Sequence, residues 1–287
     1  MTAREKIEAV CDLIRLKRQY GTLLVMMPTL WSLLLAARGR PPAVLVIVFV
    51  SGSFLMRSAG CVMNDLADRN LDRFVARTRE RPIPSGRLSV CEAAGVLLVL
   101  LLLAASLLVF LNPLAKGLSF VALAVAAVYP FAKRYTALPQ IVLCIAFSWG
   151  AVMSWAAVRG KIEEIPLLIL VANLCWTVGY DTIYALMDRE DDRKVGIGST
   201  AILFGDRAWA AVGLLYMLAI FFLAWLGSRA AMGRLYHFVL LLTAALLAHQ
   251  ITILRSDPPP NRLFSLFKSN VGVGLLVLLG ILLDLNL

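Results

Sequence analysis

Long apolar runs alternate along the chain with short polar breaks. The runs fall at residues 20–37, 42–64, 89–111, 115–130, 138–158, 163–187, 208–227, 234–254 and 268–286. Each is close to the roughly 20 residues a helix needs to cross a hydrocarbon core of about 30 Å. Backbone polar groups in lipid must be satisfied within the segment, so these runs predict helices. The breaks carry turn chemistry: Gly39-Arg40-Pro41-Pro42, Asn112-Pro113, Gly160-Lys161 and Asp257-Pro258-Pro259-Pro260. Residues 1–19 read instead as an amphipathic surface helix, with Ile7, Val10, Cys11 and Ile14 as its apolar positions. The pattern predicts an all-α, multi-pass membrane bundle of about nine spans, expected to form one domain over 1–287.

Composition sharpens this reading. A chain of 287 residues that is 60% hydrophobic, with a mean hydropathy of +0.82, is too apolar for a soluble globular domain. The net charge of +10 could suit nucleic acid, but its distribution excludes that partner. Of 28 Lys and Arg, 20 lie in the N-terminal segment and the loops after spans two, four, six and eight. Seven lie in the opposite loops, and Arg57 lies inside span two. By the positive-inside rule, the N-terminus and the loops after spans two and six face the cytoplasm and the C-terminus faces away. A bacterial inner or plasma membrane is the expected location. Five scattered cysteines without a CxxC pair read as small buried hydrophobes, and His237 and His249 as structural. No small-residue cleavage site follows the first apolar run, which is therefore a span and not a leader. No soluble domain is expected at either end.

Against this apolar background two acidic stretches stand out. The first is Asn64-Asp65-Leu66-Ala67-Asp68-Arg69-Asn70-Leu71-Asp72, and the second runs from Asp181 through Asp188 to Asp192. Asn64, Asp68 and Asp72 recur every fourth residue and so share a helix face; Asp181, Asp188 and Asp192 are read in the same way. Carboxylates at that spacing repel unless cations sit between them. Oxygen donors without His or Cys suit a hard ion, Mg²⁺, which shares phosphate oxygens readily. A diphosphate substrate completes that arrangement. An EF-hand is excluded by the missing Gly and Glu of its loop.

The loop Arg77-Thr78-Arg79-Glu80-Arg81-Pro82-Ile83-Pro84-Ser85-Gly86 adds arginine forks suited to a diphosphate. Arg57 lies two helical turns before Asn64 on the same face, deep enough to point into a cavity and not into lipid. Gly196-Ile197-Gly198-Ser199-Thr200-Ala201 matches a dinucleotide fingerprint, but no β-strand precedes it, and it reads as a cap loop.

Met56 through Asp65, with Asp68, Asp72, Arg77-Thr78 and Arg81-Pro82, resembles the first signature of the UbiA superfamily of intramembrane prenyltransferases. Tyr180-Asp181 through Asp192, then Gly198-Ser199-Thr200-Ala201, is similar to its second signature. Tyr129 through Thr136, Pro139-Gln140 and Pro28-Thr29-Leu30-Trp31 resemble the branch acting on 4-hydroxybenzoate. The resemblance covers nearly the whole chain.

It implies a nine-helix bundle around a central cavity, with cap loops over about 65–88 and 188–207, in which Mg²⁺ bridges both acidic motifs to a polyprenyl diphosphate. Asn64, Asp68, Asp72, Asp181, Asp188 and Asp192 would form the metal and diphosphate group, with Asp68, Asp181 and Asp188 central to catalysis. Arg77, Lys133 and Arg193 are candidates for the diphosphate. Arg57 or Arg134, and more weakly Arg15, are candidates for the carboxylate of an aromatic acid. The implied reaction moves the polyprenyl group to the ring carbon ortho to the hydroxyl of 4-hydroxybenzoate, in ubiquinone-type quinone biosynthesis. The proton acceptor is Asp181 or the released diphosphate. Expected partners are the two substrates and membrane lipid, with no obligate protein partner. Another aromatic acceptor, such as a menaquinone precursor, is the near alternative. A cation-coupled transporter is the alternative from another class, disfavoured because the acids cluster at one membrane face.

Overall fold

The computed structural model describes residues 2–70, 72–74, 78–132, 139–195 and 198–287. Among them every regular element is helical: α1 (Ala3–Leu13), α2 (Tyr20–Ala36), α3 (Ala43–Asp68), α4 (Val90–Leu107), α5 (Pro113–Ala132), α6 (Pro139–Arg159), α7 (Glu164–Ala185), α8 (Arg189–Val195), α9 (Thr200–Phe204), α10 (Ala208–Arg229), α11 (Arg234–Leu254) and α12 (Pro260–Asn286). Each of the nine apolar runs is a helix. Among the described residues six helical segments, containing α3, α4, α7, α10, α11 and α12, are long and apolar enough to cross a membrane. Tyr20–Ala36 and Pro113–Val128 are shorter apolar helices.

Local chemistry sets several boundaries. Capping boxes start α1 at Thr2 with Glu5 and α4 at Ser89 with Glu92, each satisfying two backbone donors that a helix start leaves open. The expected helix over 1–19 stops at Leu13 because Arg15 takes a left-handed backbone (φ 58°). Its buried face is Ala9 and Leu13, packed with Ala59, Val62, Ala93 and Leu100, while Ile7 points away and is 64% exposed. Ion pairs from Arg15 to Asp65 and Arg87 to Asp12 set that rotation. α12 begins eight residues before the apolar run, because Pro260 occupies its first turn, where a missing N–H costs nothing.

The principal core joins α2, α6, α7, α10, α11 and α12. Without a solvent-driven hydrophobic effect inside lipid, small residues and polar contacts hold helices together. Here Ser32 Oγ donates to the Ala151 carbonyl (2.6 Å) and Ser154 Oγ to that of Thr29 (3.0 Å), tying α2 to α6. Trp31 stacks on Trp176 at 5.6 Å. Trp176 Nε1 donates to buried Asn270 (2.8 Å), which also joins Gln250 and Tyr216. At one end Arg229 pairs with Glu164 (2.8 Å), so the close of α10 and the start of α7 share a face. The acidic stretches lie at the other end.

Candidate active site

The ends of α3 and α7 meet over a cavity of about 1640 Å³. Asn64 and Asp68 come from the last two turns of α3, Asp181 from the last turns of α7, and Arg57 from deeper on α3. The one-face reading of each motif needs correction here. α3 ends at Asp68, and Asp72 opens a separate 3₁₀ turn at Asp72–Phe74. Likewise α7 ends at Ala185, Asp188 follows in the turn, and Asp192 belongs to α8. Asp72, Asp188 and Asp192 line the wall shared with Asn64, Asp68 and Asp181 from beyond the ends of α3 and α7, and not as an uninterrupted helical repeat. For Asp72 the physical reason is tertiary: beyond the helix end its carboxylate gains an ion pair with Arg81.

Asp65 is a hub that face-counting passes over. It is 1% exposed and receives both Arg15 contacts from one Nη2, at 2.9 and 2.8 Å, plus Arg81 Nη1 at 3.0 Å. Arg81 Nη1 also donates to Asp72 (2.9 Å), and Thr78 Oγ1 to the Asp72 carbonyl (3.0 Å). Arg87 reaches Asp12 on α1 (2.9 Å) and the Glu80 carbonyl (2.9 Å). The first cap is thereby laced to both α1 and the end of α3 through charge-assisted bonds, the stronger class. The second cap docks through Thr182 and Thr200, whose hydroxyls lie 2.8 Å apart.

Arg57 lines the same cavity. Its Nη1 donates to Cys61 Sγ one turn on, and its guanidinium carbon stands 6.0 Å from the Phe147 ring centre. Lys268 of α12 also lines the cavity and sits 4.7 Å from the Phe264 ring centre. In the sequence it reads as the polar edge of the apolar run 268–286, and a cation opening that run is the one signal there of a cavity-facing role. Arg193 is exposed, pairs with Glu190 (3.3 Å) and is not among the lining residues. Arg77, Lys133 and Arg134 lie outside the described residues.

The donor set can be tested against Mg²⁺. Among the described residues no three His, Cys, Asp or Glu converge closely enough to hold a metal alone. The cavity wall instead offers oxygen donors from two separate stretches of chain, Asn64 and Asp68 at the end of α3, and Asp181, Asp188 and Asp192 on α7, the turn after it and α8. Mg²⁺ takes one or two carboxylates and completes its shell with water and substrate phosphate. Split, all-oxygen donors fit that habit. Away from this polar end the lining turns apolar, through Val48 and Phe49 of α3, Leu101 of α4, Leu108 and Leu111 just after it, and Phe120 of α5.

Comparison with known proteins agrees with this geometry. The family model described as the UbiA prenyltransferase family matches residues 25–271. A 4-hydroxybenzoate octaprenyltransferase of Vibrio campbellii is 44% identical over 278 residues, 97% of this chain and 98% of that one. One from Yersinia pseudotuberculosis is 45% identical over 283 residues, 99% and 98%. Among solved structures, a UbiA homolog from Aeropyrum pernix K1 superposes with a TM-score of 0.82 at 27% identity, over 93% of this chain and 98% of that one. A UbiA homolog from Archaeoglobus fulgidus bound to GPP and Mg²⁺ gives 0.73 at 19%, over 97% and 100%, and shares the fold.

Proposed function

The chain belongs to the UbiA prenyltransferase family, and from that premise we propose that it prenylates 4-hydroxybenzoate. A polyprenyl group passes from polyprenyl diphosphate to the ring carbon ortho to the hydroxyl, with Mg²⁺ as cofactor, in ubiquinone-type quinone biosynthesis. The observation that carries this reading is one cavity with acid at its mouth, an arginine beneath and an apolar extension. The 44–45% identity to 4-hydroxybenzoate octaprenyltransferases supports the acceptor.

Asn64, Asp68, Asp181, Asp188 and Asp192 would hold the metal, with Asp72 joining through the side not taken by Arg81. Bound Mg²⁺ would supply positive charge against the departing diphosphate. Lys268, which lines the cavity, adds cationic stabilisation there, and Arg77 and Lys133, outside the described residues, are further candidates for that role. The allylic C–O bond breaks with its electron pair leaving on the diphosphate. The ring carbon ortho to the phenol forms the new C–C bond, and its proton leaves to Asp181 or to the diphosphate. Apolar walls from α3, α4 and α5 keep water from the allylic cation and take the isoprenoid tail. Arg57, or Arg134, receives the acceptor's carboxylate in a forked pair.

The chain crosses a bacterial inner membrane nine times as a single domain, with its N-terminus, caps and cavity mouth cytoplasmic. Product analysis of the purified protein tests this function. A prenyl diphosphate with Mg²⁺ and no membrane gradient is offered with 4-hydroxybenzoate beside a panel of other aromatic acids. Ortho-prenylated 4-hydroxybenzoate should dominate. Preference for a naphthoic menaquinone precursor would reassign the acceptor, and absence of any prenylated product would reject the reading.

A further inference from the structure

Arg57 is held by three helices before any substrate arrives, and the least conspicuous contact is with a glycine. A Cβ added at Gly21, in the first turn of α2, would stand 2.9 Å from both Nε and Nη2 of Arg57 and 3.3 Å from Cζ. The guanidinium therefore occupies the space a side chain would fill. Phe147 of α6 faces it at 6.0 Å, and Cys61 Sγ accepts from Nη1. Gly21, Cys61, Phe147 and Arg57 all belong to the described residues, and Gly21, Cys61, Phe147 and Arg57 all line the cavity.

Other close glycines in the bundle differ in kind. An added Cβ at Gly150 would strike Thr29, and one at Gly274 would strike Met27 and Trp176, residues that pack helix against helix. At Gly21 the three nearest atoms all belong to the guanidinium, the mobile end of a long side chain. A methyl there moves the fork and leaves the helix packing in place. The forked pairing of an arginine depends on the orientation of its guanidinium.

We propose that Gly21, Phe147 and Cys61 are positioning residues that set the Arg57 fork, making Gly21 a determinant of selectivity for a carboxylated acceptor. This rests on the assignment of Arg57 to the acceptor carboxylate.

The test is steady-state kinetics of the full chain with Mg²⁺, a prenyl diphosphate and 4-hydroxybenzoate, comparing the parent, Arg57→Ala, Gly21→Ala and the double variant. A misplacement near 1 Å can cost on the order of 100-fold, and a flexible fork recovers part of that, so Gly21→Ala should raise acceptor KM about tenfold. Its KM for prenyl diphosphate should stay within about twofold, and the double variant should equal Arg57→Ala, because both act on one group. Cys61→Ala and Phe147→Leu should show the same split more weakly, and they carry the test if Gly21→Ala does not fold. Raised acceptor KM in Arg57→Ala with parental values in the other three variants would overturn the positioning role alone. Parental acceptor KM in Arg57→Ala would overturn the acceptor assignment and this proposal with it. Equal rises in both KM values, or full additivity in the double variant, would make Gly21 a packing residue and also overturn the proposal.

Discussion

Replacing Asp65 by Asn removes the charge at the centre of the first cap while changing almost no volume. The carboxylate accepts from Arg15 at 2.8 and 2.9 Å and from Arg81 at 3.0 Å while being 1% exposed. Asn keeps one acceptor oxygen and sets an NH₂ donor against a guanidinium donor. Removing one member of a buried ion pair costs about 3–5 kcal/mol. Two features draw the value to the lower end: the arginine side chains are 23% and 19% exposed, and Arg81 retains Asp72 at 2.9 Å. We therefore expect about 3 kcal/mol. At roughly 2–4 °C per kcal/mol for chains of this order of size, the melting midpoint should fall by about 6–12 °C. Unfolding in detergent is followed by fluorescence at one scan rate, since irreversible melts depend on it. Asp191→Asn is the control, because its pair with Lys194 is longer (3.5 Å) and exposed, and should cost under about 1 kcal/mol. A midpoint for Asp65→Asn as close to the parent as that of Asp191→Asn would refute the hub.

Three further outcomes follow from the same geometry. Exposed Ser85 lies at the cavity end and exposed Ser228 at the opposite end, so cysteines placed there should label from opposite sides of sealed vesicles; exposed Cys91 must first become serine. Labelling from the same side would contradict the crossing pattern. Lys268→Ala should raise the KM for prenyl diphosphate more than that for the acceptor, by about tenfold if one charge-assisted contact near 1.4 kcal/mol is lost; an unchanged value would remove Lys268 from the diphosphate. Asn270→Leu leaves Trp176 and Tyr216 without their shared acceptor and should cost about 1–3 kcal/mol in a thermal melt with both KM values unaltered; a parental midpoint would count against that network.

Much of the molecule is legible in its sequence, for identifiable reasons. Each apolar run becomes a helix because lipid-soluble backbone has few alternatives. Arg57 reaches the cavity because an arginine inside such a run has nowhere cheaper to go. What the periodicity misjudges lies at helix ends. Asn64 and Asp68 both reach the cavity from α3 as spaced, but Asp72 and Asp192 line it from beyond the helix ends, Asp72 in a tertiary ion pair with Arg81. Asp65 and Arg81 are paired over sixteen positions and Arg15 and Asp65 over fifty, separations at which no local spacing signals contact. Gly21 is invisible for another reason: its role is the absence of an atom beside a side chain from a different helix.

The central claim is that the two acidic walls act as one metal-dependent ionisation site, and turnover in Asp68→Asn, Asp188→Asn and their double variant tests it most directly. An Asn keeps shape and one oxygen but not the charge. Each single variant should lose at least about 10²–10³ in kcat, the usual cost of one electrostatic contact in a transition state. The double variant should fall short of the product of the two losses, since both residues serve one metal–diphosphate unit. EDTA should abolish the parent's activity and Mg²⁺ restore it. Near-parental, EDTA-insensitive turnover in either single variant would contradict the account.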